Sequence, residues 1–278
     1  LTNITIQFNI EVFMTNNGSD LLGKEVVSKV EGLLARSAMY QILSACFFHP
    51  TKESLSLLKD ADFSELVEKL EHCYKDTDNA TGFHQSLAEL RKSFDNSTIE
   101  NLQSQYLRIV GHTISKECPF YEGQYGAAHV YQQVQDLADI QGFYKAFGLD
   151  GSDVEKERCD HVSVELEFLQ FLLYKQAYAI EHDGEEKAQI CEDAAKSFIK
   201  EHVGKWVPLL ATLLGKKAGS GFYFALSVLT KEFMCLEMKM MRIETEMFKE
   251  SDITQDVVAG APDECLSCAS SSDEDFEA

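Results

Sequence analysis

The chain has 278 residues, 45% of them hydrophobic, and carries 46 acidic against 25 basic side chains for a formal net charge of -21. This is a globular composition with ample chain for a core, but it excludes a phosphate backbone or an anionic membrane as partner, because both need a basic face. The charge favours a basic partner attracted over long range, with plain solubility as the bland alternative.

Leu1 to Phe13 lack the basic n-region of a secretory signal, and Met14 is a candidate natural start. Residues 1–20 are expected to form a disordered extension. From Glu25 to Phe48, Val26, Val27, Val30, Leu33, Leu34, Met39, Ile42, Leu43 and Phe47 recur at helical spacing. That helix should stop at His49-Pro50, since a residue before proline is driven out of the helical region. Shorter helices are expected over 63–76 and 82–94. Ser97-Thr-Ile-Glu100 fits a capping box for the helix carrying Leu102, Tyr106, Leu107 and Val110, with Gly111 at its end. An irregular loop over 111–125 precedes a helix over 127–147, closed by Gly148. The polar stretch 150–158 reads as a linker. Three more helices are expected over 160–182, over 186–215 with a bend or break near Gly204 to Pro208, and over 221–249.

No period-2 stretch bounded by hairpin signals stands out, so the chain reads as all-α, a single-domain helical bundle of about ten helices spanning 21–250. Residues 251–278 read as an acidic disordered tail, with six acids and no bases between Asp263 and Glu277. Six of the eight cysteines stand singly in apolar or helical context, as reduced thiols do in cytoplasmic proteins. The other two, Cys265 and Cys268, form a C-x-x-C that is at most half a metal site; a redox pair or no defined site are its other readings. No run of 18 apolar residues suggests a membrane span.

Chemistry concentrates in Glu157-Arg-Cys-Asp160-His161-Val-Ser-Val-Glu165-Leu-Glu167-Phe-Leu169, where acids and an imidazole front an apolar helix. Asp160 and Glu167 are seven apart, and His161 and Glu165 four apart, so each pair shares a face. Two readings stand: Asp160 caps the helix and the acids complement its dipole, or the face is an acidic groove wall that takes guanidinium groups in two-point geometry. Metal binding by His161 and Glu165 lacks the second histidine of an H-E-x-x-H pair. In Cys118-Pro-Phe-Tyr121-Glu122-Gly-Gln-Tyr125 the aromatics either pack back on the core or supply a second wall with Glu122. His202 and Trp206, four apart, share a face and read as core packing with a hydrogen bond at one edge.

The pattern E-x-x-D-H-x-x-x-E-L-E-F-L resembles the signature of the TorD/DmsD/NarJ family, cytoplasmic chaperones of molybdenum-cofactor enzymes. Cys118 to Tyr125 looks like that family's P-Y-E-S-x-Y loop. Phe198 to Trp206, followed by Gly221-Phe-Tyr223, looks like its F-x-x-x-H-x-x-x-W segment and F-Y helix. The resemblance covers about residues 25–248. Arg158-Cys159 departs from it where many members have a proline, and Gly123 replaces a small hydroxyl residue.

The resemblance implies a cytoplasmic protein without catalytic residues or cofactor, working as a monomer or domain-swapped dimer. Its implied partner is the catalytic subunit of a molybdopterin-dependent oxidoreductase, with that subunit's twin-arginine signal peptide. The peptide-binding residues it points to are Tyr121, Glu122, Tyr125, Asp160, His161, Glu165 and Glu167, and Asp160→Ala is expected to weaken binding while the fold survives. The alternatives are a NarJ-like chaperone gripping the mature enzyme body, or a helical enzyme binding a metal or nucleotide. The chain has no G-x-x-x-x-G-K-[ST], G-x-S-x-G or H-E-x-x-H to support the last.

Overall fold

Helical spacing is realised almost throughout. The computed structural model describes residues 23–54, 58–59, 63–75, 77, 80–111, 115–126, 130–149 and 157–253. Among them are nine α-helical segments: α1 (Lys24–Phe47), α2 (Phe63–Tyr74), α3 (Ala80–Asp95), α4 (Ile99–Val110), α5 (Val130–Ala146), α6 (Val162–His182), α7 (Glu185–Phe198), α8 (Gly204–Ala218) and α9 (Phe222–Met240). A π turn, Ile199–Val203, joins α7 and α8 into one rod, so these segments form eight rods among the described residues, where about ten helices were expected over 21–250. No strand occurs among the described residues; two isolated β-bridges tie loops together.

Burial follows composition. α6 is apolar on nearly every side, from Val162 to Ala179, and a helix of that kind belongs inside a core. It packs along α1 and against α7, while α9 packs against α8 and α3. The outer helices bury a stripe only: Leu102, Tyr106 and Ile109 on α4, and Ala188, Cys191, Ala195 and Phe198 on α7.

Local signals set most ends. α4 starts one residue later than the expected box, with Thr98 as its cap accepting the Asn101 amide at 3.2 Å. Gly111, at φ 79°, closes it. The expected interruption near Gly204 to Pro208 lies just upstream, as the π turn. α9 stops nine residues short of the expected 249. Arg242 adopts a left-handed φ of 56°, and the Ile243 amide reaches back to the Met238 carbonyl at 2.8 Å, a helix-ending Schellman arrangement. Residues 243–253 then run as a strap across the π turn. Thr245 Oγ1 donates to the Lys200 carbonyl (2.8 Å), the Phe248 amide to Lys205 (2.9 Å) and the Gly126 amide to Asp252 (2.7 Å). The readings made for residues 1–20, most of the 150–158 linker, and Cys265 and Cys268 lie outside the described residues.

Candidate functional site

Two segments far apart in sequence meet in front of α6. Loop residues 120–122 pair antiparallel with 160–162: the Glu122 amide donates to the Asp160 carbonyl and the Val162 amide to the Phe120 carbonyl, each at 2.9 Å. The bridged pair is Tyr121 and His161. A 3-10 turn, Glu122–Gln124, carries the loop on to Tyr125, whose own bridge is to Ile253 of the strap. Gln133 Nε2 on α5 holds the turn by the Gly123 carbonyl at 2.9 Å.

The helix is capped by His161. Its Nδ1 accepts the Ser163 amide at 3.2 Å, so the ring proton sits on Nε2. The ring stacks on Phe48 and meets Tyr121 edge-on, and burial followed by the Arg158 charge pushes its pKa down to about 3. Asp160, one residue before the cap, is fully buried and held by the chain's own Arg158. Arg158 Nε and Nη2 reach the two carboxylate oxygens at 3.0 and 2.7 Å, and the Gly123 amide donates at 3.2 Å. Burial raises the Asp160 pKa, while Arg158 and the Gly123 amide oppose the rise.

The guanidinium also lies over the Tyr121 ring, 5.0 Å from its centre, and Tyr121 donates to Glu157 at 3.0 Å. The two departures from the family pattern are thereby linked. A Cβ on Gly123 would stand 3.2 Å from Asp160 Oδ2 and 3.7 Å from Arg158 Nη2, so the bare glycine leaves the fork its room.

Behind this cradle a buried polar chain crosses the core. Trp206 Nε1 donates to Glu165 Oε2 at 3.0 Å. Burial and the neighbouring Glu122 carboxylate push Glu165 well above the usual carboxylate range. The other Glu165 oxygen meets no N–H or hydroxyl donor; with a proton on it, Glu165 becomes a donor to Glu122. Glu122 faces His202 Nδ1 at 3.1 Å, and His202 Nε2 points towards Asp139, 3.4 Å away. Tyr125 donates to the Pro119 carbonyl (2.7 Å) and packs on Trp206.

The seven residues singled out from sequence therefore occupy different places. Asp160, His161, Glu165, Glu122 and Tyr125 are buried and bonded within the fold, whereas Tyr121 and Glu167 are partly exposed. Burial pushes Glu167 up to about 7, and it stands outside this network of bonds. His202 and Trp206 share the expected face and join the polar chain. Sequence reading named Arg158 only as a departure from the family pattern, and passed over Asp139 and Glu201. Arg158 carried a signal, a cation where the family pattern has proline; the other two are exposed acids in an acidic chain. Among the described residues, Asp139, Glu201 and His202 are the group with metal-ligand spacing, and no helix is long and apolar enough to cross a membrane.

Residues 76–212, which contain the loop, the cradle and the polar chain, match the family described as nitrate reductase delta subunit. The chain is 27% identical over 223 residues to the perchlorate reductase assembly chaperone protein of Dechloromonas aromatica (strain RCB), covering 79% of this chain and 95% of that protein. It is 31% identical over 112 residues to the chlorate reductase assembly chaperone protein of Ideonella dechloratans, covering 39% of this chain and 55% of that one.

Proposed function

The chain belongs to the NarJ/TorD-type family of redox-enzyme maturation chaperones, and on that premise we propose that it binds the catalytic subunit of a molybdopterin-dependent oxidoreductase through a twin-arginine signal peptide. It is a chaperone and not an enzyme. Acting in the cytoplasm, it covers the export signal and keeps the subunit open until its cofactor is inserted.

The observation that carries this reading is the seat of Arg158. A buried carboxylate, an aromatic ring and the nearby Glu157 already accommodate a guanidinium on this face. An incoming arginine needs the same groups: two-point geometry that lysine cannot copy, and a flat ring beneath it. The net charge of -21 adds long-range attraction for a basic peptide. Asp160→Ala is a poor probe, because it would open the core and strand Arg158. Tyr121 and Glu157 lie at the rim and are better targets.

The test is fluorescence anisotropy with a labelled twin-arginine leader and its twin-lysine counterpart. We expect the lysine peptide to bind at least tenfold more weakly, about 1.4 kcal/mol. Glu157→Gln and Tyr121→Ala should each narrow that difference in folded protein. Equal affinity for the two peptides would sink the signal-peptide reading and favour grip on the mature enzyme body.

A further inference from the structure

The polar chain that begins at Trp206 ends at the surface in an arrangement with no part in peptide recognition. His202 is 3% exposed, yet its Nε2 has no hydrogen-bond partner. That nitrogen faces Asp139 Oδ2 at 3.4 Å and stands close to the Glu201 carboxylate; one ligand atom from each residue lies within 4.8 Å of the others. We propose that His202 Nε2, Asp139 and Glu201 form a binding site for a divalent transition-metal ion of the zinc type.

Three independent features support it. The first is distance: two ligands about 2.1 Å from a tetrahedral ion lie about 3.4 Å apart, the observed His202–Asp139 separation. The second is orientation. A ligating histidine commonly gives its other ring N–H to a carboxylate, which fixes the tautomer and raises the basicity of the coordinating nitrogen. Glu122, itself bonded into the core, faces His202 Nδ1 in that way. The third is backbone: Glu201 and His202 sit on the π turn, a distortion that recurs at functional sites. Neighbouring Asp136, on α5 with Asp139, adds negative charge, partly offset by Lys205. One imidazole and two carboxylates leave a fourth position for water or a client side chain, as in open zinc sites. An ion there would clamp α5 to the π turn, and α5 in turn holds the Gly123 loop through Gln133.

The experiment uses the full chain carrying Cys265→Ser and Cys268→Ser, stripped with chelator and titrated with Zn2+ by calorimetry and with Co2+ by visible absorption. The site predicts one saturable equivalent, Co2+ ligand-field bands without a thiolate-to-metal band, and at least tenfold weaker binding in both Asp139→Asn and Glu201→Gln. Both replaced side chains are exposed, so these variants should fold. The proposal is overturned by absence of a saturable equivalent, by a thiolate band, or by affinity unchanged in both variants.

Discussion

With its ring packed between Phe48 and Tyr121 and its Nδ1 taken by the Ser163 amide, His161 has no room for a second proton. Its pKa in the folded chain, about 3, lies far below the 6.5 of an unfolded histidine. Below pH 6.5 the unfolded chain takes up a proton that the folded one refuses. The stability tied to this residue is therefore fully present above about pH 6.5 and is lost as pH falls towards 3. Asparagine keeps a cap acceptor but does not titrate. Urea unfolding at pH 7.5 and pH 5 should show wild type losing about 2 kcal/mol more than His161→Asn over that interval. Parallel losses would assign the acid limb to another group. From sequence, the D-H segment could be found because its residues are contiguous in the chain and lead straight into an apolar helix. What Asp160 and His161 touch could not, since Gly123, Phe48 and Tyr121 arrive from other parts of the chain.

At the scale of elements, the α7–π–α8 rod turns on Gly204. Its amide reaches the Ile199 carbonyl, five residues back, and a Cβ there would meet that same oxygen at 2.5 Å. Gly204→Ala must therefore shift the turn that carries Glu201 and His202, at a cost of about 1–3 kcal/mol. Chemical denaturation measures it, and unchanged stability would mean the turn relaxes without strain. Helix interiors were legible because apolar spacing is a local signal, and so was the weak point near Gly204 and Pro208. The end of α9 was not. Met241, Arg242, Glu244, Glu246, Met247 and Lys249 are mostly good helix formers. The strap's bonds to the Lys200 and Lys205 carbonyls are long-range contacts that propensity does not contain.

Across the whole molecule, one buried carboxylate ties three helices. Glu237 on α9 receives Arg36 of α1 through two bonds, at 2.7 and 2.8 Å, with Tyr40 of α1 at 3.0 Å and Tyr74 of α2 at 2.6 Å. Glu237→Gln would leave the Arg36 guanidinium buried without a counter-charge and should cost about 3–5 kcal/mol in urea unfolding. Arg36→Met with Glu237→Leu, together with Tyr40→Phe and Tyr74→Phe so that no buried hydroxyl is stranded, should recover most of that loss; if the quadruple variant is as weak as the single one, packing around the cluster outweighs its charge. An all-α bundle was evident from the scarcity of proline and the absence of strand alternation, but this junction joins positions about two hundred residues apart and leaves no local pattern. The strap has a consequence in time. It lies beyond α9 in the chain, so during synthesis α1 to α9 leave the ribosome before Asp252 and Ile253 can fasten the loop at Gly126 and Tyr125. A nascent copy thus has these nine helices before their latch, and the loop beside the arginine cradle is secured only after all of them.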